Sequence, residues 1–443
     1  MSDNLVPNTR STPPNVLNQN LAIIGSGIAG LTAAHVLSRR HRVTVFEAND
    51  YIGGHTHTVP VSLDQGGQTR DYQVDTGFIV CNDRNYPNFL RLLQKLNVAI
   101  QPTEMSFSVL NPALGLEYNG HNLDTLFAQR RNLLSPRFLR FVRDILRFNK
   151  AAKQQLDSLS TTADEPVTLD RFLAGLGLSP MLRDNYLLPM VAAIWSCSVR
   201  QAGEFPLDFF LRFFLNHGLL DIKNRPQWYV LKGGSHSYVE PLTEPFRANL
   251  HLNAPVSAVL REPDQVQVVV NGEKQQFDQV IFACHSDQAL ALLQTPSTAE
   301  AAVLTDLKYQ ENDVTLHWDA ALMPRRKKAW ASWNFLAGQA DSERLPVVTY
   351  SMNILQGIGS IEDEKPLLVS LNANDLIEPT KVIRRFRYAH PVYSLAGARA
   401  QQRRSEICGV DRIHYCGAYW YNGFHEDGVR SALDVCERFG ETL

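Results

Sequence analysis

The sequence contains no CxxC pair: its six cysteines, Cys81, Cys197, Cys284, Cys408, Cys416 and Cys436, all fall outside that spacing. This argues against a structural zinc site and offers no disulfide framework for a chain of 443 residues. Reduced thiols in the cytoplasm are the simplest expectation. An excess of charge of one sign is missing too. Lys+Arg 43 against Asp+Glu 45 gives a net charge of -2, which argues against a nucleic-acid partner and against an acidic solvating protein. The opening MSDNLVPNTRSTPPNVLNQN has neither the basic nor the apolar region of a secretory signal, and residues 1–19 read as a disordered tail. No run approaches the ~20 apolar residues needed to cross a bilayer.

The pattern of an ordered chain begins at Leu21. LAIIG is a short apolar run ending at Gly25, LTAAHVLSRR has the helical spacing of Leu31, Ala34 and Leu37, and RVTVFE reads as a second strand. Strand, Gly-rich turn, helix and strand in so short a span predict a βαβ unit on a parallel sheet. Residues from about 85 to 220 read as mostly helical. VSAVLRE, VQVVVNG and FDQVIFAC then read as strands, with turns at Pro263-Asp264 and Asn271-Gly272. Residues 305–390 mix strands and loops, and RIHYCG with GVRSALDVCERFG supplies a last strand and helix. The length exceeds what one core serves, so two or three units of about 150 residues are expected.

The most specific motif is IIGSGIAG, in which Gly25, Gly27 and Gly30 stand in GxGxxG register between strand and helix. Gly25 permits a tight turn, Gly27 lets backbone approach a pyrophosphate, and Gly30 allows close packing of helix on strand. The helix opening at Ile28 and Ala29 presents N–H groups and a partial positive charge to phosphates. Glu47, followed by Ala48, ends the second strand twenty residues after Gly27, where a carboxylate can hold a ribose hydroxyl.

The next segment turns the reading from NAD toward FAD. FEANDYIGGHTHTV, with Gly53, Gly54, His55 and Thr56, resembles the extended dinucleotide motif of the flavin-containing amine oxidase superfamily. That superfamily includes monoamine oxidases, protoporphyrinogen oxidases and phytoene desaturases. Its double glycine is usually followed by an Arg that pairs with phosphate; His55 stands in that place here. VDTGFIVCN, with Gly77, Phe78 and Ile79, is similar to the segment passing near the isoalloxazine. NAPVSAVLREPDQVQVVVNG resembles the segment whose backbone, here at Val256, meets adenine. HYCGAYWYNGFHEDGVRSAL resembles the C-terminal flavin motif, with Gly417 at a strand end and Asp427, Gly428 and Val429 opening a helix aimed at the flavin N1–C2=O edge.

A narrower resemblance rests on GAYWYNGFHEDG, LMPRRKKAWASWNF and IRRFRYAHPVYS. These look like a bacterial subgroup of FAD/NAD-binding proteins similar to the N-terminal part of plant cyclopropane fatty acid synthases. The resemblance implies a lipid acyl chain or modified fatty acid as substrate and a functional link to a methyltransferase of the cyclopropane-fatty-acid-synthase kind.

Other residues invite sharper readings. His55-Thr56-His57 has the form of a metal-binding HxH, but no carboxylate or Cys nearby completes a ligand set, and no metal is expected. Gly233-Gly234-Ser235-His236-Ser237 departs from the GxSxG nucleophile elbow at its last position. Tyr419, Trp420, Tyr421, Phe424 and His425 either frame a substrate or pack around the ring. Asp427 is read as a helix cap, with His425 left open. His425, Tyr419 and Trp420 are the catalytic candidates; no acid or base is assigned. The strand NDVTLHWD lacks the lysine that amine oxidases usually place near flavin N5, so amine oxidation is the less favoured chemistry. Arg137, Arg140, Arg143, Arg147 and Lys150 beside Phe138, Leu139, Val142, Ile145 and Leu146 make a basic amphipathic helix, either a core element or one resting on the inner face of a membrane. Phe205, Phe209, Phe210, Phe213 and Phe214 read as core before tunnel wall.

Together these readings predict an α/β fold with a discontinuous Rossmann-type FAD-binding domain (20–85, 225–300 and 391–443) and a second α+β substrate domain, amine-oxidase-like (86–224 and 301–390). The implied protein is an FAD-dependent oxidoreductase moving a hydride from a small-molecule or lipid substrate to flavin. Flavin amine oxidases, carotenoid-desaturase-like enzymes and a non-catalytic binding module, as in Rab GDP-dissociation inhibitors, are the alternatives on the same fold. An NAD-dependent dehydrogenase is a third class. No second strand–GxGxxG–helix unit is present for a nicotinamide.

Overall fold

The computed structural model describes residues 18–158, 167–221, 223–338 and 343–443. The expected tail therefore lies, up to residue 17, outside the described residues, while the Asn18 N–H already donates to Arg40 O at 3.0 Å. The chain forms two compact units, Met1–Gly54 with Val239–Ala301 and Arg403–Leu443, and His55–Tyr238 with Ala302–Gln402.

The first unit is built on a five-stranded parallel sheet. Strand β1 (Asn20–Ile24) lies at its centre, between β2 (Arg42–Phe46) and the strand Gln279–Phe282; Leu250–His251 and Ile413–Tyr415 are the edges. Leu21 to Ile24 are buried without alternation, as expected of a central strand covered on both faces. Helix α1 (Ile28–Leu37) is buried along nearly its whole length, and its Gly30, Ala33 and Ala34 let it lie close to its neighbours. The helix His425–Arg438 meets the start of α1: a Cβ at Gly428 would stand 2.7 Å from Ile28 Cγ2, so the missing side chain permits the approach. An antiparallel meander, Val256–Arg261, Val266–Val270 and Glu273–Phe277, completes the unit. The predicted Asn271-Gly272 turn takes positive φ at both residues, 51° and 84°, the requirement of a tight hairpin.

The second unit carries a seven-stranded mixed sheet in the order Val382–Pro391, Tyr309–His317, Leu368–Leu371, Val347–Ser351, Trp333–Leu336, Phe107–Asn111 and Leu116–Asn119. The stretch from 85 to 220 is mostly helical, as its pattern predicts, but it also holds three short strands, Ile100–Thr103, Phe107–Asn111 and Leu116–Asn119. These strands are four or five residues long, too short for a local periodicity to announce; Ile100–Thr103 and Phe107–Asn111 pair with segments more than a hundred residues away, and Leu116–Asn119 pairs with Phe107–Asn111. The hairpin Thr58–Gln65/Gln68–Asp75 places Val59, Val61, Tyr72 and Val74 in one core with Val314, Leu316, Val369 and Leu371. That shared core groups residues 55–85 with the second unit, where the sequence boundaries had drawn them into the first; residues 225–238 and 391–402 move likewise. The amphipathic helix forms over Pro136–Ser158 and buries Phe138, Phe141 and Phe148. Trp195 packs with Phe205 and Phe213 at ring separations of 4.9 and 4.5 Å. No helix among the described residues is long and apolar enough to cross a membrane.

Candidate cofactor site

The glycine turn shows why Gly25 and Gly30 have to be glycine. Gly25 takes φ +108°, and a Cβ there would sit 3.0 Å from the Ala283 carbonyl. A Cβ at Gly30 would meet Gly25 O at 2.0 Å, too close for any side chain. Gly27 is different: its φ of -67° suits any residue, and nothing among the described residues lies within 4 Å of where its Cβ would be. The space beyond Gly27 is open. The first α1 hydrogen bond runs from Leu31 N–H to Gly27 O at 2.9 Å, so the N–H groups of Ala29 and Gly30 have no acceptor within the helix.

Gly53 and Gly54 lie against this turn. Gly53 N–H donates to Ser26 O at 3.1 Å, and a Cβ at Gly54 would approach Gly27 Cα to 3.3 Å. Both have positive φ, +115° and +58°, which glycine adopts at little cost. Glu47 is buried beside them. Its Oε2 accepts from Ser26 N–H at 2.9 Å and from the Ser26 hydroxyl at 2.6 Å, and its Oε1 accepts from the N–H and side-chain amide of Asn49, both at 2.9 Å. Ser26 and Asn49 escaped the sequence reading, although Ser26 stands inside the GSG string. The His251 carbonyl accepts from Glu47 N–H, and Ala254 N–H donates to Glu47 O, both at 2.9 Å; this draws the segment before Val256 to the end of β2, next to Ala48. A bulge between Val256 and Ala258 turns the strand there.

The C-terminal motif belongs to the same unit. A Cβ at Gly417 would lie 2.3 Å from Tyr419 Cε1, so the Tyr419 ring fills the place of the absent side chain. Gly417 N–H donates to Ser431 Oγ at 2.8 Å, and Ser431 Oγ donates to Gly428 O at 2.9 Å. Ser431 thereby ties the strand end to the first turn of the helix, a role only its spacing of three from Gly428 foreshadows. Asp427 Oδ2 accepts from Phe424 N–H at 2.9 Å, half of a capping box. Burial pushes the Asp427 carboxyl up to about 7 against the backbone donors of Phe424 and Asn422. Burial drives His425 down to about 3, so its ring is neutral at physiological pH. Val429, Tyr419 and Trp420 are buried; the Arg404 guanidinium lies 5.3 Å over the Trp420 ring, whose Nε1 is buried with no hydrogen-bond partner among the described residues.

The other expected residues gather in the second unit. A Cβ at Gly77 would stand 2.2 Å from His55 O, and that carbonyl accepts from Phe78 N–H at 2.7 Å. The His55 ring lies 5.2 Å from Tyr388 and 5.4 Å from His390. Thr56 bonds the Tyr238 hydroxyl, and Ile79 is buried in the hairpin core. His57 Nδ1 is 2.8 Å from Tyr388 Oη, which is 2.9 Å from Thr76 Oγ1, and the Thr76 hydroxyl donates to His57 O at 3.0 Å. Since Thr76 spends its proton on that carbonyl, Tyr388 donates to Thr76, and His57 Nδ1–H donates to Tyr388. Asp75 is fully buried; Ser235 donates to it from its N–H at 2.8 Å and its hydroxyl at 2.9 Å, which gives the GGSHS string a structural role. Burial raises Asp75 to about 6 despite the bonds from Thr58 and Ser235. The strand Tyr309–His317 carries no lysine, and its His317 bonds Ser370 through Nε2 at 2.7 Å.

Taken with its two units, this arrangement defines a class, the two-unit α/β flavoprotein. The fold matches cyclohexylamine oxidase from Brevibacterium oxydans with a TM-score of 0.67 at 16% identity, over 95% of this chain and 98% of that one. It matches a CLA-producing fatty acid isomerase from P. acnes with a TM-score of 0.64 at 14% identity, over 95% and 98%. Residues 28–339, more than half of the sequence, match the flavin containing amine oxidoreductase family, and the chain belongs to that family of FAD-dependent oxidoreductases. An L-amino-acid oxidase from Siganus canaliculatus is 24% identical over 365 residues, covering 77% of this chain; the chain spans 64% of that relative's length.

Proposed function

We propose that the chain oxidises a small-molecule or lipid substrate with FAD held on its first unit. The observation that carries this reading is the open space beyond Gly27, at the start of α1, where the Ala29 and Gly30 N–H groups have no acceptor within the helix and where Gly54 packs on Gly27 without a side chain. It is a cradle that a single Cβ would invade, and its donors suit a diphosphate. Gly25, Gly27, Ile28, Ala29, Gly30, Gly53 and Gly54 would hold the diphosphate, Glu47 and the Val256 segment the adenosine, and the Gly417–Gly428 region the flavin. FAD supplies two-electron acceptor chemistry when bound. The chain's own contributions are position and polarity: Ser26 and Asn49 fix Glu47, Ser431 fixes Gly417 on the helix, and neutral His425 contributes no cation. Substrate oxidation by hydride loss calls for proximity and orientation before a dedicated base.

For the substrate we favour a lipid acyl chain or modified fatty acid, as in the subgroup related to cyclopropane fatty acid synthases. The absence of lysine from Tyr309–His317 supports this over amine oxidation, and the fatty acid isomerase is a further likeness of fold. The kinship with an L-amino-acid oxidase favours an amine or amino acid as the second reading. Anaerobic titration of the flavin-loaded protein with phospholipid acyl chains, amines, amino acids and carotenoid precursors separates the two. Bleaching by acyl substrates is expected; bleaching by amines alone ends the lipid assignment.

A further inference from the structure

Six of the twelve exposed large hydrophobic side chains among the described residues fall between Leu114 and Leu146, a concentration that scattered surface leucines do not explain. Leu134 is 88% exposed and Leu133 48%, in the turn Arg130–Leu134 that leads into the helix Pro136–Ser158. On that helix Phe138, Phe141 and Phe148 are buried in the core, while Leu139, Arg143, Leu146 and Lys150 on the opposite side are exposed among the described residues. Leu139, Arg143, Leu146 and Lys150, spaced four, three and four apart, form one outward stripe about 16 Å long at 1.5 Å per residue. Arg140 and Arg147 flank it, each beside the buried Asp144, at 3.8 and 3.2 Å. Arg143 and Lys150 have no acidic partner within 4.0 Å among the described residues.

We propose that this face docks on an anionic lipid bilayer, with Leu133, Leu134, Leu139 and Leu146 entering the headgroup boundary and Arg143 and Lys150 meeting lipid phosphates. Charge complementarity selects an anionic partner, and the leucines select one with an apolar interior. Nucleic acid would satisfy the cations and leave the leucines in water. Docking of this kind is shallow and reversible, suited to a helix whose apolar side is committed to its own core.

The test is flotation of the full chain with phosphatidylcholine vesicles, with or without about one third phosphatidylglycerol. Binding to the anionic vesicles alone, lost at high salt, is expected. Arg143→Glu combined with Lys150→Glu should lower partitioning at least 25-fold, since each basic charge near such a surface contributes about fivefold. Leu146→Trp, on an exposed site that tolerates a ring, should shift its emission to the blue on anionic vesicles. Equal binding to neutral vesicles, unchanged partitioning of the folded double variant, an unshifted Trp, or tighter binding to duplex DNA than to vesicles would each overturn the proposal.

Discussion

Glu47 grips Ser26 twice, through its backbone N–H at 2.9 Å and its hydroxyl at 2.6 Å. The carboxylate that the motif reserves for a ribose hydroxyl is thus also the anchor of the glycine turn. With Asn49 on the other oxygen, its acceptor positions are filled from within the chain. A ribose hydroxyl has to displace one donor, and the Ser26 hydroxyl, which turns about a single bond, is the easiest to move.

Ser26→Ala should therefore cost about 1 kcal/mol of stability, the net worth of one hydrogen bond, and leave FAD affinity unchanged or improved. Glu47→Ala strands the buried N–H of Ser26 and should cost about 2–4 kcal/mol while also weakening FAD. Urea unfolding and flavin titration of both variants measure this. Tenfold weaker FAD binding by folded Ser26→Ala would show that the hydroxyl holds the nucleotide itself.

Gly27 and Gly30 look alike in sequence and should fail differently. Gly27→Val places its side chain where no atom lies within 4 Å and its backbone is already extended, so the protein should fold and lose the yellow absorbance at about 450 nm. Gly30→Ala drives a methyl into Gly25 O, 2.0 Å from its Cβ, and should cost at least about 3 kcal/mol before any cofactor is considered. Circular dichroism beside the flavin spectrum separates the outcomes. A yellow Gly27→Val protein would remove the diphosphate from this turn.

Gly77 makes the same kind of demand in the second unit. A Cβ there meets His55 O at 2.2 Å, and that carbonyl already accepts from Phe78 N–H at 2.7 Å. Gly77→Ala should push His55 from Tyr388 and destabilise the protein by about 1–3 kcal/mol, measured by thermal unfolding. An unchanged midpoint would mean that the loop relaxes freely.

These contrasts mark where the sequence was readable. A turn built within thirty residues leaves a local signature, so β1, α1, β2 and their glycines could be placed from Leu21 to Glu47. Phe107–Asn111 pairs with Trp333–Leu336, and no pattern local to either segment can say so. Ser26, Asn49 and Ser431 were missed because short polar residues are common in turns and helices, and only their geometry gives them partners. His55 was legible as a departure from Arg, but its ring neighbours Tyr388 and His390 come from a strand more than three hundred residues on.

The helix cap Asp427 predicts a pH dependence with a definite sign. Burial raises its carboxyl to about 7 in the folded chain, against an ordinary value of 3.8. Between those two values the folded state holds a proton that the unfolded state has released, so this group favours folding most at low pH. Its contribution falls as pH rises from about 4 to 7 and is then level, a loss of a few kcal/mol at about 1.4 kcal/mol per unit. His425 acts in the opposite sense, since its folded value near 3 favours folding as pH rises toward 6.5. The two are separable because Asp427→Asn keeps an oxygen for Phe424 N–H and removes the titration. The stability difference between Asp427→Asn and the parent, from denaturant curves at intervals from pH 4 to 8, should move steadily in favour of the variant and flatten above 7. A difference constant across that range would mean that Asp427 ionises freely where it caps the helix.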